Sequence, residues 1–89
     1  MDTLAIISAL ALITGVMMAF GNFPQAYKIF KRKSAGDVSL ITYLIFFVGS
    51  VTWLAYGIAS NDVPIIASYS VGTLSTALVI AGWFKYKGK

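Results

Sequence analysis

The chain has no cysteine, no histidine and no glutamate, and only ten of its 89 residues are charged. Without cysteine it cannot form disulfides, thiolate metal sites or thiol redox centres. Its three aspartates are its only carboxylate side chains, and without histidine, cysteine or glutamate beside them a metal site or a catalytic acid–base pair is not expected. We therefore predict that the protein binds no metal, needs no cofactor and is not an enzyme.

Asp, Glu, Lys, Arg and His are also absent from three long stretches, 3–27, 38–61 and 63–84. Each stretch is longer than the about 20 apolar residues that cross the hydrocarbon core of a bilayer as a helix. The mean hydropathy of +0.82 excludes an ordinary globular domain. We predict an all-α membrane protein, a bundle of three transmembrane helices. This single unit covers residues 1–89, with helices at about 3–30, 38–60 and 63–84.

Positive charge is confined to one predicted side of the membrane. Three crossings place all seven cations on the side that holds the first loop and the C-terminus; they are Lys28, Lys31, Arg32, Lys33, Lys85, Lys87 and Lys89. The opposite side holds only Asp2 and Asp62. The positive-inside rule then predicts an external N-terminus and a cytoplasmic C-terminus. Basic residues beside apolar helices contact lipid head groups, so we expect the bilayer, and no nucleic acid, as the partner of these charges.

The first stretch contains a helix breaker near its cytoplasmic end. Pro24 has no backbone N–H and clashes with the carbonyl of the residue four positions back, which is Phe20. Inside lipid that carbonyl needs another partner, and the amide of Asn22 or Gln25, or water in a cavity, can supply one. Residues 20–25 therefore predict a polar kink. The kink is either static, serving packing alone, or part of a broken helix that lines a cavity.

Each predicted helix has one face with polar or aromatic side chains at spacings of three and four. These faces comprise Ile7, Ala11, Thr14, Met18, Asn22 and Gln25; Thr42, Phe46, Gly49, Trp53, Tyr56 and Ser60; and Ile66, Tyr69, Thr73, Thr76 and Ile80, with Ser68, Gly72 and Ser75 beside them. Small and hydroxyl residues also form helix contacts in lipid, which accounts for part of the pattern. Trp53 lies deep in its helix, where its indole N–H needs a partner or a cavity. A flat ring surrounded by hydroxyls and amides suits an uncharged, polyhydroxylated ligand such as a sugar.

Four segments of the chain together resemble a known family. Phe23-Pro24-Gln25, a basic cluster and then residues 34–39 (SAGDVS) resemble the PQ-loop signature. Residues 53–57 (WLAYG) and 62–66 (DVPII) are similar to the later part of the bacterial SemiSWEET sugar transporters. The resemblance implies a third helix packed between the first and second. It also implies a parallel homodimer of six helices in a bacterial inner membrane, with the sugar path between the two copies.

The resemblance also implies roles for individual residues. Trp53 matches the tryptophan on which the sugar stacks, and Tyr69 stands where the family often has a sugar-binding asparagine. Together with Asn22 of the polar face, they are the predicted substrate-binding residues. The predicted hinge and gate residues are Phe23, Pro24, Gln25, Tyr56 and Asp62.

The three stretches contain no carboxylate, so a proton-driven carrier lacks its titratable relay. We therefore expect facilitative, alternating-access transport of a mono- or disaccharide by a homodimer. One alternative is a carrier of the same fold for another small neutral solute, which the tyrosine at position 69 leaves open. The other alternative is a non-transporting protein, such as a holin-like pore former or an accessory subunit.

Overall fold

The computed structural model describes residues 2–36 and 38–88, and over these residues the chain forms four α-helices. They are α1 (Thr3–Phe20), α2 (Asn22–Arg32), α3 (Leu40–Ala59) and α4 (Val63–Tyr86). Asp37 of the loop signature and the cation Lys89 lie outside the described residues.

Three helical spans are long and apolar enough to cross a membrane. α1 and α2 together form one span of 30 residues, while α3 has 20 residues and α4 has 24. At a rise of about 1.5 Å per residue, even the shortest matches the roughly 30 Å hydrocarbon core. The predicted all-α architecture of three spans is confirmed.

Three of the helices have a side-chain cap at their N-terminus. Oδ1 of Asp2 accepts a hydrogen bond from the N–H of Ala5 at 2.7 Å, and the Ser39 side chain caps α3 in the same way. Oδ1 of Asp62 accepts from the N–H of Ile65 at 3.1 Å, and Pro64 lies in the first turn of α4. Such caps satisfy backbone N–H groups that have no partner within the helix. Asp62 therefore fixes the start of α4 at Val63.

The first span is interrupted at Gly21, within the segment where the sequence predicts a kink. Gly21 keeps helical dihedral angles, with φ −59° and ψ −21°, so the interruption is a gap in the hydrogen-bond ladder rather than a reversal of the chain. The side-chain nitrogen of Asn22 donates to the carbonyl oxygen of Ala19 at 3.3 Å. The Asn22 amide therefore bonds the carbonyl that precedes the Phe20 carbonyl by one residue.

α4 lies in the middle of the bundle. It contacts α1, α2 and α3, whereas α1 and α3 do not touch each other within the described residues. The Cα atoms extend over 52 × 22 × 14 Å, so the unit is elongated and flattened in its thinnest direction. The implied position of the third span between the first and second is confirmed.

Glycines allow α4 to approach its neighbours closely at both ends. A Cβ atom at Gly57 of α3 would lie 2.7 Å from Cγ2 of Ile65, and one at Gly82 would lie 2.8 Å from Cγ2 of Ile29. Neither distance is possible without movement of the neighbour, so glycine sets the helix separation at both points.

The buried apolar core is small and lies near the basic end of the unit. It consists of Ala26, Ile29, Ala35 and Val79, with Trp83 partly buried against it. Most large apolar side chains face outward instead, including Met17 and Met18 of α1, which are 66% and 78% exposed. A soluble protein does not expose so many apolar side chains, but a lipid-facing protein does.

Candidate functional site

A cavity of about 670 Å³ lies between α1, α3 and α4 and is open on one side. Because α1 and α3 do not touch, α4 forms the floor and the other two helices form the walls. The lining contains no charged side chain. The lining residues are Ala11, Gly15, Met18, Ala19, Asn22, Ile45, Phe46, Gly49, Ser50, Trp53, Pro64, Ile65, Ser68, Tyr69, Gly72 and Thr76.

The three predicted substrate-binding residues come together in this cavity. Trp53 of the α3 wall, Tyr69 of the α4 floor and Asn22 at the start of α2 all line it. The rings of Trp53 and Tyr69 are stacked, with centroids 6.1 Å apart and planes 18° apart. Trp53 is nevertheless 49% exposed, so much of its surface stays available to a ligand or a second chain. That these three residues contact a substrate stays a prediction.

Hydroxyl groups along α4 form a buried hydrogen-bonded strip beneath the cavity. Oγ of Ser75 accepts from the amide nitrogen of Asn22 at 3.2 Å and donates to the carbonyl oxygen of Gly72 at 3.2 Å. Oγ1 of Thr76 donates to the same carbonyl oxygen at 2.7 Å. The Oγ1 atom of Thr73 is buried and has no hydrogen-bond partner.

The predicted hinge residues lie beside the cavity rather than in it. Phe23, Pro24 and Gln25 occupy the first turn of α2, directly after the interruption at Gly21, and none of them lines the cavity. The Phe23 ring contacts the Phe20 ring with centroids 5.3 Å apart, so an aromatic contact bridges the interruption.

The predicted gate residues lie toward the acidic end of the unit. Tyr56 packs its ring edge-on against Trp53, with centroids 5.5 Å apart and planes 79° apart. Asp62 holds the start of α4 through its cap, and its neighbours Pro64 and Ile65 line the cavity. Tyr56 is 56% exposed, so much of the residue is accessible to another chain or a ligand.

Several residues that line the cavity were not predicted from the sequence. Ser50 is buried beside Gly72, and its Oγ would lie 3.2 Å from a Cβ at that position. Gly15 makes the equivalent close approach to Ser68 on the other side of α4. Ser50 lies one helical turn before Trp53, and that spacing was the signal available for finding it.

Positive charges surround the basic end of the molecule, which is opposite the end that holds the predicted gate residues. Lys85 at the end of α4 lies over the ring of Phe30 in α2, with Nζ 5.9 Å from the ring centroid, and Lys31 lies over the Tyr27 ring at 5.5 Å. The ends of α2 and α4 therefore share one side, as the charge pattern requires. The residues that the structure describes contain no group of three or more potential metal ligands.

Comparison with known proteins identifies relatives of this chain. Residues 6–66 match the family model for the PQ loop repeat. The chain is 38% identical over 63 residues to "Sugar transporter SemiSWEET" of Bradyrhizobium diazoefficiens, covering 71% of this chain and 73% of that protein. It is 33% identical to the protein of the same name from Leptospira biflexa, covering 64% of this chain and 67% of the relative. The crystal structure of a bacterial homologue of SWEET transporters superposes with a TM-score of 0.83 at 30% identity, covering 91% of this chain and 98% of that one.

Proposed function

The chain belongs to the PQ-loop repeat family, and from this premise we propose that it carries a mono- or disaccharide across the membrane as a facilitative transporter. The observation that carries the proposal is the uncharged cavity in which Trp53, Tyr69 and Asn22 meet within apolar helices. Its volume of about 670 Å³ is within the range of about 300–1,000 Å³ typical of small-ligand sites. The relatives support the choice of sugar, because they are named sugar transporters.

A second copy of the chain completes the proposed carrier. The cavity is open on one side, and the described residues of one copy leave that side unclosed. A parallel homodimer related by an axis along the membrane normal would place two such cavities face to face and enclose a sugar between them. The exposed part of Trp53 and the exposed Met18 on the cavity rim fit a surface that the partner covers.

The gap in the first span provides the moving part of the mechanism. α1 and α2 are joined at Gly21 without a complete hydrogen-bond ladder, so α2 can tilt relative to α1 at low cost. Tilting would open the cavity alternately to either side, with Pro24 and Gln25 at the hinge. Tyr56 and Asp62 stand where the opposite, outer gate would close.

The apolar spans and the bacterial relatives make this a bacterial multi-pass membrane protein. We place it in the inner membrane with the N-terminus outside. The basic ends of α2 and α4 support this orientation, because cationic segments favour the cytoplasmic side.

Counterflow into liposomes that contain the purified protein tests the proposal. We expect saturable exchange of radiolabelled glucose or sucrose, reduced about tenfold by Trp53→Ala because the stacking surface is lost. Trp83→Phe is the matched control, since Trp83 packs against the core at the other end and does not line the cavity. Uptake by Trp53→Ala at the wild-type rate would contradict the assigned role of this ring.

One observation favours a second cargo class. Tyr69 brings a bulky phenol where the family often has an amide, and this changes both the space and the hydrogen-bonding groups beside Trp53. Another small neutral solute would suit such a site. Counterflow with neutral amino acids in the same liposomes distinguishes the two, and non-saturable leakage of every solute would indicate a pore instead.

A further inference from the structure

Two hydrogen bonds hold the side chain of Asn22 at the junction of α1 and α2. Its nitrogen donates to the carbonyl oxygen of Ala19 at 3.3 Å and to Oγ of Ser75 at 3.2 Å. Ser75 is fully buried, and its own hydroxyl donates to the carbonyl oxygen of Gly72 at 3.2 Å. The single proton of the hydroxyl is thus already used, and Ser75 presents only a lone pair to Asn22.

These partners determine which end of the amide faces them. A backbone carbonyl can only accept a hydrogen bond, and so can a serine hydroxyl whose proton is engaged elsewhere. An amide rotated by half a turn would set its oxygen against two acceptors, which is unfavourable in this partly buried site. The Asn22 oxygen accepts no hydrogen bond from the described part of the chain, and Asn22 lines the cavity.

We propose that Ser75 is a positioning residue that fixes the Asn22 amide with its oxygen turned to the cavity, where it accepts a hydrogen bond from a sugar hydroxyl. The inference rests on the proposed function and adds the direction of one hydrogen bond to it. A hydroxyl can donate to this oxygen, whereas a fluorine atom of similar size cannot. One hydroxyl of the substrate is therefore recognised as a donor.

The amide orientation is tested without any transport assay. The chain has two asparagines, Asn22 and Asn61, so labelling with ¹⁵N-asparagine gives two pairs of side-chain NH2 signals, and Asn61→Ser assigns them. We expect Ser75→Ala to speed exchange of the Asn22 amide protons with water about fivefold, because one partner is lost. Thr73→Val is the matched control on the same helix, since the Thr73 hydroxyl is buried without a hydrogen-bond partner. An Asn22 signal that Ser75→Ala leaves unchanged would overturn the positioning role.

The acceptor role is tested with fluorinated sugars in proteoliposomes. Analogues with one hydroxyl replaced by fluorine compete for exchange of whichever of glucose and sucrose the wild type carries. We expect one analogue to need about a fivefold higher concentration than the parent sugar, and this penalty to disappear in Asn22→Ala and in Ser75→Ala. Thr73→Val should keep the penalty, which separates loss of the Ser75 hydroxyl from a general change in the packing of α4.

The two possible failures give different results. If the wild type exchanges sugar and every fluorinated analogue competes like its parent, the acceptor role is wrong and the transport function stands. If the wild type exchanges neither sugar, the proposed function is wrong, and so is the proposed contact between the sugar and Asn22. The amide-exchange measurement decides in either case whether Ser75 orients Asn22.

Discussion

Trp53 of α3 and Tyr69 of α4 stack on each other beside the cavity, with ring centroids 6.1 Å apart and planes inclined by 18°. Tyr56 meets the same indole edge-on at 5.5 Å. Two neighbours therefore hold the Trp53 ring in place before any ligand binds. A ligand that packs on a surface already ordered in this way loses less binding energy to ordering.

The Tyr69 side chain should control which sugar fits beside Trp53. Tyr69→Asn replaces the phenol with a smaller amide, so we expect the ratio of sucrose to glucose exchange to rise as the cavity enlarges. Tyr69→Phe keeps the ring stacked on Trp53 and removes only the hydroxyl, so its sucrose-to-glucose ratio should match that of the wild type. Counterflow of both sugars into the same liposomes measures the ratio. Equal ratios in Tyr69→Asn and the wild type would show that position 69 does not set substrate size.

Gly49 offers a way to fill the cavity without disturbing the helices. A Cβ atom at Gly49 would have no neighbour within 4 Å, and the residue lines the cavity. We expect Gly49→Leu to fold and melt like the wild type but to lose most sugar exchange, because its side chain occupies the space of the ligand. Thermal unfolding in detergent and counterflow in liposomes test the two parts. Full exchange in this variant would place the sugar path elsewhere.

In contrast to Gly49→Leu, a substitution at Gly82 should change the stability of the protein. A Cβ atom there would lie 2.8 Å from Cγ2 of Ile29 and 3.1 Å from the Phe30 ring, far from the cavity lining. Gly82→Ala should therefore destabilise the packing of α4 on α2 by about 1–3 kcal/mol, the usual cost of overfilling a close contact. The measurement is thermal unfolding in detergent. Gly88→Ala is not a suitable control, because Gly88 has a positive φ. Gly49→Ala is the better control, since its added methyl group meets open space.

The three spans and their order followed from charge and hydropathy because a bilayer imposes both length and composition on a helix. The interruption near Pro24 is a local effect, so a short stretch of sequence sufficed to predict it. Contacts between helices were harder to predict from the sequence. The link from Asn22 to Ser75 spans 53 residues, and no local spacing encodes it. The spacing from Trp53 could have placed Ser50 on the cavity face, but the burial of Ser50 depends on how closely Gly72 lets α3 approach α4.

Pro24 should set the rate of transport rather than the affinity for sugar. Because proline has no N–H, the carbonyl of Phe20 lacks its usual donor, and yet Gly21 between them already has helical dihedral angles. Alanine at position 24 would supply that donor with little rearrangement and join α1 to α2 as one continuous helix. One added hydrogen bond of about 1 kcal/mol should slow exchange about fivefold by stiffening the hinge.

The Pro24→Ala variant serves as its own control when exchange and binding are measured on one preparation. Counterflow gives the exchange rate, and quenching of Trp53 fluorescence gives the dissociation constant. Trp83→Phe in both proteins leaves Trp53 as the one tryptophan, because the chain has two. A slower exchange at an unchanged dissociation constant supports the hinge, since Pro24 does not line the cavity. A weaker affinity with no change in maximal rate would instead assign Pro24 to the shape of the binding site, and the moving part would have to be sought elsewhere in the bundle.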